Sequence, residues 1–128
     1  MKVLVIDDNP IDLLINRKMI QSVAPEAEVF SAQSLEEAQS FLRTSPQNLR
    51  LLFVDIRMPV MNGFEMLELL YDAFSDVLQD AHVYMVSSSL DGSDEIKSFE
   101  TPYIQAMLDK PLSKIVAQAV VDGLNEDI

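Results

Sequence analysis

Two apolar runs in this chain end at carboxylates, and this arrangement constrains the fold more than any other feature. Residues 3–6 are followed at once by Asp7 and Asp8, and residues 51–54 are followed by Asp55. A continuous apolar run of this length is typical of a strand buried on both faces of a parallel sheet. If the two strands are neighbours, their acids meet at one end of the sheet, where like charges about 4 Å apart repel by roughly 1–4 kcal/mol per pair. Such a cluster indicates a site for a cation, a phosphoryl group or both.

The composition is that of one globular domain, which we expect to span residues 1–128 with no output domain attached. The chain is 48% hydrophobic and 23% charged, which is ordinary for a protein with a packed core. A formal charge of −12 argues against binding to nucleic acid, which requires basic residues on phosphates. There is no cysteine, and no apolar run has the length of a signal peptide or a membrane span. We therefore expect a cytoplasmic protein without membrane contacts.

The spacing of apolar residues, proline and glycine predicts five strand–helix units. Strands are expected at residues 3–6, 27–31, 51–54, 83–86 and 104–108, and helices begin near Pro10, Ser34, Gly63, Asp91 and Leu112. Asn9 and Ser34 are the expected caps of the first two helices. In the first helix the apolar residues that recur at helical spacing are Ile11, Leu14, Ile15, Met19 and Ile20.

This alternation predicts an α/β fold with a parallel sheet and helices on both faces. The first and third strands are wholly apolar and belong in the centre, whereas the second and fifth contain polar residues and belong at the edges. The strand order that satisfies both conditions is 2-1-3-4-5, a three-layer, doubly wound, flavodoxin-like (βα)5 sheet. Ligands of such sheets bind where the strand order reverses, which here is between the first and third strands.

Asp7, Asp8 and Asp55 are expected at that point, and this position limits the kinds of ligand that the site can bind. The turn after the first strand has no glycine, and Pro10 removes a backbone donor, so a nucleotide-type phosphate loop is disfavoured. Carboxylates suit a hard divalent cation, above all Mg²⁺, which would allow a phosphoryl group to approach. One carboxylate could then act as the nucleophile and become an aspartyl phosphate. The topology alone leaves open which of the acids this is.

Two further groups are expected at the same edge of the sheet. Ser87 ends the fourth strand and Lys110 ends the fifth, and a hydroxyl and an ammonium both suit a transferred phosphoryl group. Each residue also has an ordinary interpretation: acids near a helix start are favoured by the helix dipole, serines are common in loops, and lysines are common on surfaces. The combination at one edge favours phosphoryl transfer.

Over nearly its whole length the chain resembles the receiver domain of two-component response regulators. The resemblance lies in the acidic pair at residues 7–8, the segment DIRMPVMNG at residues 55–63, the serines at residues 87–88 and the Lys-Pro pair at residues 110–111. It implies that Asp55 accepts a phosphoryl group from a phosphohistidine of a sensor histidine kinase or a histidine phosphotransfer protein. Phosphorylation would then change the face made by the last two helices and the fifth strand, which a downstream protein would recognise.

The resemblance also assigns roles to the other residues of the site. It implies a Mg²⁺ site, which Mn²⁺ or Ca²⁺ could also occupy, made by Asp7, Asp8, Asp55 and the backbone carbonyl of Arg57, with Asp7 acting mainly through water. Ser87 would donate a hydrogen bond to the phosphoryl oxygen, and Lys110, preceding Pro111 through a cis bond, would pair with it. One position departs from the family pattern, because Met107 stands where many members have an aromatic residue. Methionine repacks readily, so signalling through the last two strands and helices stays possible.

Two other classes of function are the alternatives. A receiver-like interaction module that signals without phosphorylation is disfavoured, because all the side chains of the phosphorylation site are present. A Mg²⁺-dependent phosphohydrolase that works through an aspartyl phosphate needs a second acid two residues after its nucleophile, where this chain has Arg57 or Pro10. We therefore expect a signalling domain, not an enzyme, whose own chemistry is limited to phosphoryl transfer and autodephosphorylation.

Overall fold

The computed structural model describes residues 1–88, 100–101 and 103–125 of the chain. The strands are β1 (Lys2–Ile6), β2 (Glu28–Ala32), β3 (Leu49–Asp55), β4 (His82–Ser87) and β5 (Ile104–Asp109). The helices of the described residues are α1 (Pro10–Val23), α2 (Leu35–Arg43), α3 (Gly63–Leu78) and α4 (Lys114–Asn125). The helix expected at about residues 91–99 lies outside the described residues. None of the described helices combines the length and apolarity needed to cross a bilayer.

All five strands are parallel, and their order is β2-β1-β3-β4-β5. This confirms the predicted α/β class, the two edge strands and the reversal of strand order between β1 and β3. Ile6 of β1 is paired with Val54 of β3, so the residues that follow them, Asp7 and Asp55, leave adjacent strands at the same level. Asp55 is in turn paired with Val86 of β4. The register therefore carries the functional candidates to one edge of the sheet.

The sheet is buried on both faces by two apolar clusters. Residues 3–6 and 51–54 are at most 1% exposed, as their uninterrupted apolar sequence predicts. On one face, Leu42 of α2 and Leu67 of α3 belong to a cluster with Leu4 and Leu52. On the opposite face, Ile20 of α1 and Val120 of α4 belong to the other cluster. Because full burial of one such side chain contributes about 1.5–3 kcal/mol, this packing holds the ends of β1 and β3 firmly in place.

Side-chain caps begin the helices that follow the central strands. Asn9 Oδ1 accepts a hydrogen bond from Ile11 N at 2.9 Å, and Pro10 occupies the first turn of α1. Asn62 Oδ1 accepts a hydrogen bond from Glu65 N at 3.0 Å and starts α3. Both helices therefore begin near the end of the sheet where the acids lie, with their positive dipole ends toward that edge.

The buried face of α1 differs from the one that its apolar spacing indicated. The buried residues of α1 are Leu13, Asn16 and Ile20. Ile11, Leu14 and Ile15 are instead exposed, at 67%, 52% and 40%. The helix is thus rotated relative to its main apolar stripe, because its contacts with β1, β2 and α4 determine which side faces the core.

Candidate functional site

Three carboxylates meet at the carboxyl ends of β1 and β3, as the sequence predicted. One carboxylate oxygen from each of Asp7, Asp8 and Asp55 lies within 4.8 Å of the other two. Asp7 is 1% exposed and Asp55 is 4% exposed, whereas Asp8 is partly buried. Burial of like charges this close together is unfavourable without a compensating cation.

Lys110 supplies the positive charge that the protein itself contributes to this cluster. Its Nζ lies 2.6 Å from Asp7 Oδ2, 3.1 Å from Asp12 Oδ2 and 3.3 Å from Asp55 Oδ2. The Lys110 side chain is 9% exposed and those of Asp7 and Asp55 are 1% and 4% exposed, so the ion pairs with these two acids are screened by little water. The peptide bond between Lys110 and Pro111 is cis, the conformation that the family resemblance implies.

Backbone donors orient the two buried acids in the same manner. Asn9 N donates to Asp7 Oδ1 at 3.0 Å, and Arg57 N donates to Asp55 Oδ1 at 3.2 Å. In each acid the donor comes two residues later, from the turn that follows the strand. The second oxygen, Oδ2, is left to face Lys110. The turns after β1 and β3 therefore hold both carboxylates toward a common point.

The pKa of Asp55 is raised from 3.8 to about 6. Burial is the main cause and the charge of Asp7 the second, while Lys110 and the Arg57 amide oppose them. Burial also acts to lower the pKa of Lys110, but its attraction to Asp7, Asp12 and Asp55 outweighs burial and leaves that pKa raised above 10.5. At neutral pH the site thus contains a mostly ionised Asp55 carboxylate and a protonated Lys110.

The donor set fits a divalent cation. Asp7 Oδ2 is a buried carboxylate oxygen whose close partner among the described residues is the Lys110 ammonium, 2.6 Å away. Carboxylate oxygens that converge without enough hydrogen donors are the ligands that Mg²⁺ uses together with water and phosphate oxygens. Arg57, whose backbone carbonyl is the remaining expected ligand, is exposed just beyond Asp55.

Ser87 lies at the same edge of the sheet and is completely buried. It is the residue after Val86, which is paired with Asp55, and it is itself paired with Asp109 of β5. Ser87 O accepts a hydrogen bond from Lys110 N at 2.9 Å, which connects the ends of β4 and β5. The structure therefore brings Ser87 and Lys110 together with the acids, and the contact of the Ser87 hydroxyl with a phosphoryl group stays a prediction.

Gly63 allows the start of α3 to pack directly on the end of β3. A Cβ atom on Gly63 would overlap the Asp55 carbonyl oxygen and would lie 2.9 Å from Met85 Cε. Gly63 N donates to Ile56 O at 3.0 Å, which closes the connection between the two elements. The absence of a side chain at Gly63 therefore contributes to the position of the Asp55 backbone.

Two polar residues of α1 belong to the site although the sequence patterns did not single them out. Asp12 makes an ion pair with Lys110, and the buried Asn16 accepts a hydrogen bond from Leu112 N at 3.5 Å through its Oδ1. The available signal was their spacing, because residues four apart share one side of a helix. Asn16 also interrupts the buried stripe of α1, where an unpaired amide would be costly.

The fold and the acid cluster together define an α/β domain with three converging acids at its topological switch point. A profile of the response regulator receiver domain matches residues 3–122. The chain belongs to this family and is a response regulator receiver domain of a two-component system. Among curated proteins, it is 27% identical over 112 residues to Stress response regulator protein 1 of Lodderomyces elongisporus, a match that covers 88% of this chain and 30% of that protein. The chain thus spans less than a third of that relative.

Solved structures of response regulators have the same fold. A two-component response regulator from Cytophaga hutchinsonii superimposes with a TM-score of 0.87 at 25% identity, covering 98% of this chain and 97% of that one. Chemotaxis protein CheY4 of Vibrio cholerae superimposes with a TM-score of 0.79 at 19% identity, covering 96% and 97% of the two chains. The second likeness, at this low identity, concerns the fold alone.

Proposed function

We propose that this domain is a phosphorylation switch whose acceptor is Asp55, and that the phosphoryl group comes from a phosphohistidine of a sensor histidine kinase or a histidine phosphotransfer protein. One observation supports this above all: the buried Asp55 carboxylate lies within 4.8 Å of two further acids and 3.3 Å from a lysine. The acids suit a metal ion and the lysine suits phosphoryl oxygens, so the arrangement could bind both the metal ion and the transferred phosphoryl group.

In the proposed reaction, a carboxylate oxygen of Asp55 attacks phosphorus as the bond between phosphorus and the histidine nitrogen breaks. The electron pair of the broken bond stays on the imidazole, which can take up a proton from water, and Asp55 becomes an acyl phosphate. Asp7, Asp8, Asp55 and the Arg57 carbonyl would hold Mg²⁺, which when bound offsets the negative charge of acids and phosphoryl oxygens. The Arg57 amide fixes the carboxylate orientation.

Lys110 and Ser87 would contact the transferred group. Lys110 already lies 3.3 Å from Asp55 Oδ2, so its ammonium needs to move little to pair with a phosphoryl oxygen. Ser87 ends β4 and is paired with Asp109 of β5, so a shift of Ser87 would displace its neighbours on both strands. Met107 of β5 is partly buried and packs on the cluster that contains Met85. Repacking of Met107 would carry the change to the face formed by β5 and α4.

The surface beside the site suits a protein donor of the phosphoryl group. Ile11, Leu14 and Ile15 of α1 are 67%, 52% and 40% exposed, and Ile115 of α4 is 84% exposed. The three α1 residues lie in the first two turns of that helix and Ile115 lies in the first turn of α4, and the two helices pack against each other. Exposed apolar residues grouped beside a reactive site are typical of a protein contact. We propose that the domain signals through proteins and does not turn over a separate small substrate.

A labelling experiment tests the proposal. Wild-type protein incubated with Mg²⁺ and radiolabelled acetyl phosphate should incorporate label, and Asp55→Asn should incorporate none, because its amide cannot form the acyl phosphate. Asp80→Asn is the control, since Asp80 is exposed at the opposite end of the sheet and the charge change is the same. Full incorporation in Asp55→Asn would overturn the assignment of the acceptor. A wild-type protein that takes up no phosphoryl group from any donor would favour a phosphorylation-independent module.

A further inference from the structure

Two side chains of α1, one helical turn apart, hold the segment that carries Lys110. Asp12 Oδ2 lies 3.1 Å from Lys110 Nζ, and Asn16 Oδ1 accepts a hydrogen bond from Leu112 N at 3.5 Å. Asn16 is 2% exposed and Leu112 is 1% exposed, so the backbone contact is enclosed by the core. Asn16 thus restrains the backbone after Lys110, while Asp12 acts on its side chain alone.

The ammonium of Lys110 is shared unequally among its acids. Its distance to Asp55 Oδ2, 3.3 Å, is longer than the 2.6 Å to Asp7 and the 3.1 Å to Asp12. Asp7 belongs to the group of acids suited to a cation, and a bound cation would compete with the lysine for it. Asp12 lies outside that group, and its side chain is 34% exposed. Its attraction for Lys110 would therefore persist when the acids of the site are occupied.

We propose that Asp12 is a positioning residue that sets how much of the Lys110 charge is available to the phosphorylated acceptor. This inference rests on the proposed function of Asp55. In the unphosphorylated domain Asp12 draws the ammonium toward α1, and formation of the acyl phosphate requires the ammonium to give up part of this contact. The exchange happens at the end of a flexible side chain, because Asn16 holds the backbone beyond it. Asp12 thereby adjusts the stability of the phosphorylated state without touching the phosphoryl group.

Asp12→Asn removes the ionic attraction but keeps the size of the side chain. The Lys110 ammonium should then pair more closely with Asp55 and with any phosphoryl-like group bound to it. The measurement is the affinity of the domain for beryllofluoride, a mimic of the bound phosphoryl group, in the presence of Mg²⁺. Because the Asp12 side chain is partly exposed, we expect beryllofluoride to bind about two- to fivefold more tightly to Asp12→Asn than to wild type. Asp12→Glu should bind nearly as wild type does, and Asp80→Asn should be unchanged.

A double-mutant cycle separates positioning from simple repulsion between Asp12 and the anion. If Asp12 acts through the lysine, the effect of Asp12→Asn should disappear in a Lys110→Met background. An equal gain in affinity in that background would overturn the proposal, because the carboxylate would then merely repel the anion. No gain in the wild-type background would overturn it as well.

The ammonium signal of Lys110 in nuclear magnetic resonance provides a readout that does not depend on phosphorylation. Without Mg²⁺ or beryllofluoride, Asp12→Asn should shift this signal and speed the exchange of its protons with water, and Asp80→Asn should leave it unchanged. If wild type binds beryllofluoride but Asp12→Asn alters neither its affinity nor this signal, only the present inference fails. If wild type binds no beryllofluoride, the proposed function fails and the inference fails with it.

Discussion

Lys110 Nζ lies 2.6 Å from Asp7 Oδ2, and this ion pair is shorter than the one between Lys110 and the proposed phosphoacceptor. Both side chains are buried, at 9% and 1% exposure. The lysine is therefore paired most closely with the acid that directly follows β1. Its position there reduces the repulsion among the acids and leaves the acceptor with the weaker share of the positive charge.

Removal of the Lys110 ammonium should show how much this charge contributes to the stability of the folded domain. For Lys110→Met in a metal chelator, we expect the free energy of unfolding to fall by about 3 kcal/mol, because a buried ion pair loses one partner. Urea denaturation measures this. Lys114→Met, which removes an exposed lysine from the start of α4, should change stability by less than about 0.5 kcal/mol. Equal losses in the two variants would contradict the role assigned to Lys110.

A divalent cation should stabilise the folded domain, since the proposed ligands converge only in the folded chain. At a free Mg²⁺ concentration 100 times the dissociation constant, the gain in unfolding free energy should be about 2.7 kcal/mol. Thermal unfolding with Mg²⁺ and with a chelator measures it. Asp8→Asn should lose most of the gain, and Asp80→Asn should keep it. If Mg²⁺ shifts the unfolding temperature of all three proteins alike, binding occurs elsewhere.

The raised pKa of Asp55 predicts how stability depends on pH when no metal is bound. With a pKa of 3.8 in the unfolded chain and about 6 in the folded one, Asp55 binds more protons in the folded state between these values. Its contribution to stability is therefore present at low pH and is lost as the pH rises through this range, by about 3 kcal/mol at most.

Because other acids titrate in the same range, the useful quantity is the difference between wild type and Asp55→Asn. The variant should gain stability relative to wild type as the pH increases from about 4 to about 6, and the difference should stay constant above that range. Urea denaturation at a series of pH values in a chelator measures the difference. A difference that shrinks as the pH rises would mean that the folded state favours the ionised form of Asp55.

Gly63 and Gly123, the glycines in the helices that the structure describes, should respond in opposite directions to the same substitution. Gly63→Ala places a methyl group against the Asp55 carbonyl oxygen and should destabilise the domain by about 1–3 kcal/mol. Gly123→Ala meets no atom within 4 Å inside α4 and should stabilise it by about 0.5–1 kcal/mol. Chemical denaturation compares them. Similar changes in both would show that the close approach of α3 to β3 is tolerant of a side chain.

Much of the architecture follows from local sequence. The uninterrupted apolar runs, the proline and glycine residues between them and the capping residues predicted where strands and helices lie. A strand that is buried on both faces is wholly apolar, so the runs also predicted the central position of β1 and β3 and the strand order. The same order places Asp7, Asp8 and Asp55 at one edge, so the acid cluster was predictable before its geometry was known. The end of β5 likewise places Lys110 there.

Other features arise only when distant segments pack. Periodicity shows that α1 has an apolar side but not how the helix is rotated, and the structure exposes Ile11 while it buries Asn16. The contact of Asp12 with Lys110 joins residues 98 positions apart, and that of Asn16 with Leu112 joins residues 96 positions apart. The sequence alone determined which charges gather at the end of the sheet, because the apolar or polar character of each strand predicts the strand order. Only the tertiary structure decided how those charges share one lysine, because that depends on the packing of α1 against the segment after β5.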